Sequence, residues 1–89
     1  MNAIITVVGT DKVGIIARVS AFLAERNINI EDISQTILSG NFVMMMMVDL
    51  SKSSKALEEV KTELAGMGNA MGVSISLVHE KVFSAMHRI

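Results

Sequence analysis

The spacing of the apolar residues changes repeatedly along this chain between the period of a strand and that of a helix. Alternation of apolar with polar residues predicts a half-buried strand, and recurrence every three or four residues predicts an amphipathic helix. The segments follow in the order strand, helix, strand, strand, helix, strand. They lie at residues 3–8, 15–26, 28–38, 42–50, 57–67 and 73–77.

This order predicts a ferredoxin-like fold of the α+β class. Ser39, Gly40 and Asn41 favour a hairpin between the second and third strands. Right-handed crossovers then place both helices on the same face of the sheet. We expect a βαββαβ two-layer sandwich, with a four-stranded antiparallel sheet, two helices on one face and a short C-terminal helical tail. The 89 residues suit one domain, at residues 1–78, with an amphipathic extension at 79–89.

The second strand changes phase in its middle. Ile28 and Ile30 alternate on one parity, and Ile33 and Ile37 on the other. One extra residue at Glu31-Asp32, a β-bulge, brings both pairs onto a single face, which we expect to be buried. The polar residues of the strand are typical of a sheet edge.

The third strand contains four consecutive methionines, Met44 to Met47, and is apolar at both parities. Leu50 and Asp49 indicate that the even positions from Phe42 onward point into the core. Methionine is flexible and fills irregular surfaces. The odd positions are therefore open to two interpretations: they cover a central strand buried on both faces, or they form a surface for a partner or ligand.

We expect this odd face to be an association surface, because it is more apolar than the surface of a typical monomer. It presents Val43, Met45 and Met47. Tail residues at helical spacing, including Phe83 and Met86, are the nearest groups that can cover it, from the same chain or from a second one. This interpretation predicts a homodimer or higher homo-oligomer.

The stretch from Gly9 to Ile16 joins the first strand to the first helix. Asp11 can cap the helix with its side-chain oxygen, and Gly14, which has no Cβ, lets another group approach the backbone. The first amides of a helix lack partners and carry the positive end of its dipole, so the junction can hold a carboxylate. A capped helix start with a packing glycine has the same pattern, and the residues leave both interpretations open.

Several classes of chemistry lack the residues that they require. The absence of Cys excludes disulfides and thiolate chemistry and fits a reducing compartment. His79 and His87 do not have metal-ligand spacing with acidic residues, and no serine lies in a nucleophile-elbow motif. A net charge of −1 does not favour nucleic acid, and the longest apolar run, 42–48, is too short to span a bilayer. We expect a cytoplasmic protein without enzyme activity, metal, cofactor, nucleic acid or membrane partner.

The first loop, the first helix and the second strand resemble the ACT domain, the small-molecule-sensing module attached to many enzymes of amino-acid metabolism. The motifs are Gly9-Thr10-Asp11-Lys12-Val13-Gly14-Ile15-Ile16, Asn27-Ile28-Asn29-Ile30 and Ile33-Ser34-Gln35-Thr36. The likeness covers residues 1 to about 78. This region is similar to the ACT modules of formyltetrahydrofolate deformylases and glycine-cleavage regulators. The whole chain is similar to free-standing single-ACT-domain proteins of unassigned activity.

The resemblance implies a ligand site. In the serine-controlled phosphoglycerate dehydrogenases, one asparagine in the first loop and another at the start of the second strand hold the effector. Asp11 and Asn29 match these positions, and Gly9 stands where those enzymes have an effector-contacting histidine. The expected ligand-binding residues are Asp11, Lys12, Val13, Gly14, Ile15, Asn27 and Asn29.

The function implied is that of a small-molecule-sensing regulatory module, which binds an amino acid or related metabolite at a subunit interface. Its expected partners are the effector, a second copy and a metabolic enzyme or regulator. The alternative is a ligand-free protein-association module that acts on a partner protein.

Overall fold

The computed structural model, which describes residues 1–10 and 14–86, contains one antiparallel sheet and three helices. The elements are β1 Asn2–Gly9, α1 Ile15–Glu25, β2 Asn29–Leu38, β3 Asn41–Asp49, α2 Leu57–Met71, β4 Ser74–His79 and α3 Glu80–Met86. The strands lie in the order β2-β3-β1-β4. The predicted βαββαβ ferredoxin-like fold and its helical tail are therefore confirmed.

The core lies between one face of the sheet and the helices α1 and α2. Ile5 of β1 pairs with Met46 of β3 and with Leu77 of β4, and all three side chains are buried. The even positions of β3 are buried and its odd positions are half-buried, as the alternation predicts. The helices add Ile15, Val19, Phe22, Leu23, Val60 and Leu64 to this core.

Gly68 lets α2 come close to β4. A Cβ on this glycine would lie 2.9 Å from the carbonyl oxygen of Val73 and 3.1 Å from the Ile75 side chain. Because the first of these distances is shorter than real Cβ contacts, any larger residue at this position would push the helix away from the strand.

The hairpin and the bulge of β2 are both confirmed. Ser39 and Gly40 have φ values of 52° and 78°, and a positive φ at both central residues is typical of a type I′ turn. The pairing of β2 with β3 shifts by one residue between Ile30 and Asp32. The expected burial beyond the bulge is wrong within one chain, because the helix layer does not extend over Ile33 and Ile37, which are exposed.

Side-chain caps are absent from the described parts of α1 and α2. Gly14 occupies the N-cap of α1 with a φ of 75°, and Asp11 lies outside the described residues, so its capping role stays a prediction. Ser54 has the residue type of an N-cap for α2, but Ala56 occupies that position. The backbone N–H of Ser54 instead donates to the carbonyl oxygen of Arg26 at 2.9 Å. Asn27 takes the left-handed conformation that its place after α1 predicts, with a φ of 58°.

Arg26 ties the end of α1 to α2. Its guanidinium donates two hydrogen bonds to the Glu63 carboxylate, each 3.1 Å long, and a third to the carbonyl oxygen of Phe22 at 3.0 Å. The guanidinium carbon also lies 3.6 Å from the centroid of the Phe22 ring. This pairing lowers the pKa of Glu63 and raises that of Arg26.

The third helix follows β4 directly and packs against β1 and β4 on the face opposite the core. Ile4, on this face, is buried. The Nδ1 atom of His79 accepts a hydrogen bond from the N–H of Lys81 at 3.0 Å, which fixes the first turn of α3. Among residues 1–10 and 14–86, no helix is long and apolar enough to cross a membrane.

Candidate functional site

The predicted ligand residues lie at opposite ends of the sheet. Asn29 pairs with Asp49 at one end of β3, whereas Gly9, the last residue before the first loop, pairs with Phe42 at the other. The strand rise separates these ends by about 23 Å. One chain therefore does not bring Asn29 together with the loop.

At the loop end, the structure describes Gly14 and Ile15. Gly14 is exposed, and a Cβ on it would meet no described atom within 4 Å. The Ile15 side chain is part of the core, so only its backbone amide can face a ligand. The N–H of Arg18 is bonded to the carbonyl oxygen of Gly14 at 3.0 Å, and the amides before it belong to the first turn, where helical partners are lacking. The predicted ligand residues Asp11, Lys12 and Val13 lie outside the described residues.

At the other end, Asn27 and Asn29 line a surface depression of about 440 Å³. Ala24 and Ile28 form its apolar part, and Lys52 supplies a cation. The prediction from sequence missed Lys52. The sequence did contain a signal for Lys52. If the register is counted back from the hairpin with one bulged residue, Asn29 pairs with Asp49, and the segment after Asp49 then lies beside Asn29.

Hydrogen bonds hold the segment that carries Lys52. The Asp49 carboxylate accepts from the N–H of Ser51 at 2.9 Å and from its hydroxyl at 3.0 Å. It also lies 3.5 Å from the N-terminal ammonium. These donors, the Ser51 amide first, lower the pKa of Asp49. The N–H of Ser53 donates to the carbonyl oxygen of Leu50 at 3.0 Å, so Lys52 sits on a well-connected turn.

The predicted association surface is partly covered. Val43, Met45 and Met47 are half-buried on the face opposite the core, and Phe83 of α3 is also half-buried. Among the described residues, the backbone of α3 lies closest to β1 and β4. The side chain of Met86 lies outside the described part of the chain. The role of these residues in an interface stays a prediction.

Within residues 1–10 and 14–86, no group of three or more His, Cys, Asp or Glu side chains is arranged to hold a metal ion. His79 is engaged with the backbone of Lys81, and His87 lies outside the described residues. The groups that the described residues place at the two ends of the site are backbone amides, the Asn27 and Asn29 side chains and Lys52.

Comparison with known proteins identifies the relatives of this chain. The sequence profile of the ACT domain matches residues 2–78. A UPF0237 protein of Listeria innocua is 54% identical over 89 residues, which are 100% of both chains. The structure of an ACT domain protein from Streptococcus pneumoniae has a TM-score of 0.82 at 38% identity and covers 100% of this chain and 97% of its own.

A formyltetrahydrofolate deformylase from Pseudomonas syringae has a TM-score of 0.77 at 23% identity, over 86% of this chain and 26% of the enzyme. This likeness shows a shared fold. ACT domains are in general regulatory modules that bind small molecules. The chain, matched by this profile over most of its length and by its relatives from end to end, belongs to the ACT domain family.

Proposed function

We propose that this protein is a regulatory module that binds an amino acid or a related metabolite between two copies of the chain. The observation that carries the proposal is the exposure of β2 at the edge of the sheet. This strand lies at the sheet edge, and Ile33, Ile37 and Leu38 are 37%, 60% and 64% exposed. An exposed strand edge of this kind is a template for pairing with another strand.

A second copy of β2 complements the first. In an antiparallel pair centred on Gln35, Ile33 lies opposite Ile37 of the second copy, and Ser34 lies opposite Thr36. Apolar and hydroxyl pairs of this kind stabilise neighbouring strands. Glu31 and Asp32 then lie opposite the hairpin end of the second strand, which carries no charge. Parallel in-register pairing would instead place each of these carboxylates beside its own copy. The side chains therefore favour the antiparallel arrangement.

This arrangement completes the predicted site. It moves Asn29 of the second copy to the end of the sheet that holds Gly9 and Gly14 of the first. The first amides of α1 can then take the carboxylate of an amino acid. Asn29 or Asp11 can accept hydrogen bonds from its ammonium, and the exclusion of water between the copies strengthens both contacts. Neither half of the site is complete in one chain, so ligand binding and association are coupled.

The odd face of β3 favours a second candidate function. Val43, Met45 and Met47 are only half-buried, and an apolar strip of this kind suits a protein partner. In this alternative, the chain is an association module that acts without a small ligand.

The test is a thermal-shift screen against the amino acids, followed by calorimetric titration of whichever one raises the melting temperature. A ligand at 100 times its dissociation constant should stabilise the fold by about 2.7 kcal/mol. Asp11→Asn and Asn29→Ala should weaken binding, and Asn69→Ala, on the exposed side of α2, is the matched control. Equal affinities in all variants would rule out the site. No stabilisation by any amino acid would favour the ligand-free alternative.

A further inference from the structure

A histidine stands at the point where the chain leaves the sheet and turns into α3. His79 is the last residue of β4, and α3 begins at the next residue, Glu80. We propose that His79 is a pH-sensitive latch: its neutral imidazole holds α3 against the sheet, and its protonation releases the helix. The latch acts at the β4 edge, opposite the β2 edge of the proposed ligand site, and does not depend on that site.

The hydrogen bond of the latch needs an unprotonated ring nitrogen. The Nδ1 atom of His79 accepts from the backbone N–H of Lys81 at 3.0 Å. Lys81 lies in the first turn of α3, where backbone amides have no partner within the helix, so the ring caps the helix. A neutral imidazole accepts at one nitrogen, whereas an imidazolium donates at both and accepts at neither. Rotation of a protonated ring therefore cannot restore the bond.

The groups around His79 offer little compensation for a positive charge on the ring. The ring shares a surface depression with Met1, Glu80 and Lys81, two of which carry ammonium groups. The carboxylate of Asp49, on β3, lies 3.5 Å from the Met1 ammonium. Among the ion pairs of the described chain, none joins His79 to a carboxylate. The start of α3 adds the positive end of the helix dipole, which repels a cation.

The helix that the latch holds is short and covers one apolar side chain. It has seven residues, fewer than the roughly 12–15 that an isolated helix needs. Beneath it lies Ile4, which is buried on the face of the sheet opposite the core and does not belong to the core cluster. Ile4 pairs with the half-buried Met47 of β3. Release of α3 therefore joins Ile4 to the apolar strip of β3.

Acid should shift this helix toward the released state. Histidine is the side chain whose charge changes between about pH 5 and pH 8. Because the closed state holds the neutral ring, protons bind preferentially to the open state, and opening increases as the pH falls. The lost hydrogen bond and the like charge at the helix start together correspond to an opening constant about tenfold larger. The apolar face opposite the core is then larger in acid than at neutral pH.

Amide hydrogen exchange within α3 measures the opening. The protection of the Ser84 and Ala85 amides, which bond one turn back in the helix, is compared at pH 8 and pH 5.5 after correction for intrinsic exchange. The wild type should lose about tenfold in protection. His79→Asn should lose none, because an asparagine cap does not titrate. Glu80→Gln and His87→Asn, the latter at the other histidine, should lose as much as the wild type.

Equal protection of the wild type at both pH values overturns the latch. A loss in His79→Asn as large as in the wild type also overturns it, and a loss abolished by Glu80→Gln or His87→Asn alone moves the titration to that residue. Nitrogen NMR of the wild-type ring tests the latch without any substitution. At pH 8 the Nδ1 atom of His79 should give the signal of an unprotonated acceptor, and a proton on Nδ1 there contradicts the proposal.

Discussion

The two edge strands of the sheet, β4 and β2, differ in how completely helices cover their inward-facing side chains. On β4, Ile75 and Leu77 are buried beneath α2, which Gly68 allows to approach closely. On β2, the corresponding inward positions beyond the bulge, Ile33 and Ile37, face no helix and are exposed. The contrast shows that a single chain covers the inner face of the sheet over β4, β1, β3 and the start of β2, where Ile30 packs against the core, but not beyond the bulge. The apolar edge that remains is therefore available for association.

The largest expected effect is a loss of stability on truncation of the covered edge. Leu77→Ala should lower the free energy of unfolding by about 2–5 kcal/mol, because it leaves a cavity under α2. Ile37→Ala should change it by less than about 0.5 kcal/mol at a dilution where the chain is monomeric. Denaturant titration measures both. Similar losses for the two variants would show that Ile37 is covered within one chain.

A second prediction concerns the helix that follows β4. Deletion of residues 82–89 should uncover Ile4 and cost about 1.5 kcal/mol or more, the value of burying one such side chain. Binding of a hydrophobic dye should rise. Val82→Ser, at a residue that is already exposed, should leave dye binding unchanged. Unaltered dye binding by the truncated chain would contradict the covering role of α3.

The third prediction compares a charge on each edge. Ile37→Lys should weaken self-association about tenfold or more, because it places an ammonium in the apolar contact between two copies of β2. Ser76→Lys, at an exposed position of β4, should leave association unchanged. Sedimentation across a concentration series gives both dissociation constants. If Ser76→Lys were the variant that dissociates the oligomer, the association edge would be β4.

The smallest effect should be the pH dependence of stability that comes from the pairing of Glu63 with Arg26. Glu63 has a pKa below its ordinary value of 4.5, chiefly because of the hydrogen bonds from Arg26. Its stabilisation is complete above the unfolded pKa, declines as the pH falls below about 4.5, and is lost once the pH passes the folded pKa. Glu63→Gln should lower the melting temperature at pH 7 by less than Leu77→Ala does.

The same variant should flatten the acid side of the stability curve. Thermal melts between pH 3 and pH 7 measure this slope, and Glu58→Gln, on the exposed side of α2, is the control. An unchanged slope in Glu63→Gln would mean that its pairing with Arg26 does not hold α1 and α2 together over β1 and β3.

Most of the fold follows from local patterns in the sequence. The alternation in β3 predicts which methionines are buried, the phase change in β2 predicts its bulge, and Asn27 marks the end of α1. These features depend on neighbours in sequence or on the strand directly alongside. The N-cap of α2 was not predictable from Ser54, because its backbone N–H instead binds the carbonyl oxygen of Arg26.

The candidate site was less accessible to prediction than the fold. The resemblance to ACT domains selects Asp11 and Asn29, but only the register shows that one chain holds them far apart. Lys52 was missed because its place depends on the turn that Ser51 and Asp49 build. The exposure of Ile33 and Ile37 was missed because alternation predicts which way a side chain points and not whether a helix lies over it.

The short length of β4 has a consequence for growth of the assembly. In a two-fold pair joined through β2, both outer edges of the combined sheet are β4 strands. Each is six residues long and runs directly into α3 at Glu80. A short edge that ends in a helix offers an incoming strand few ladder bonds. In the proposed pair, strand addition is therefore expected to stop at two copies, which would make the pair a closed particle and not the first unit of a fibre.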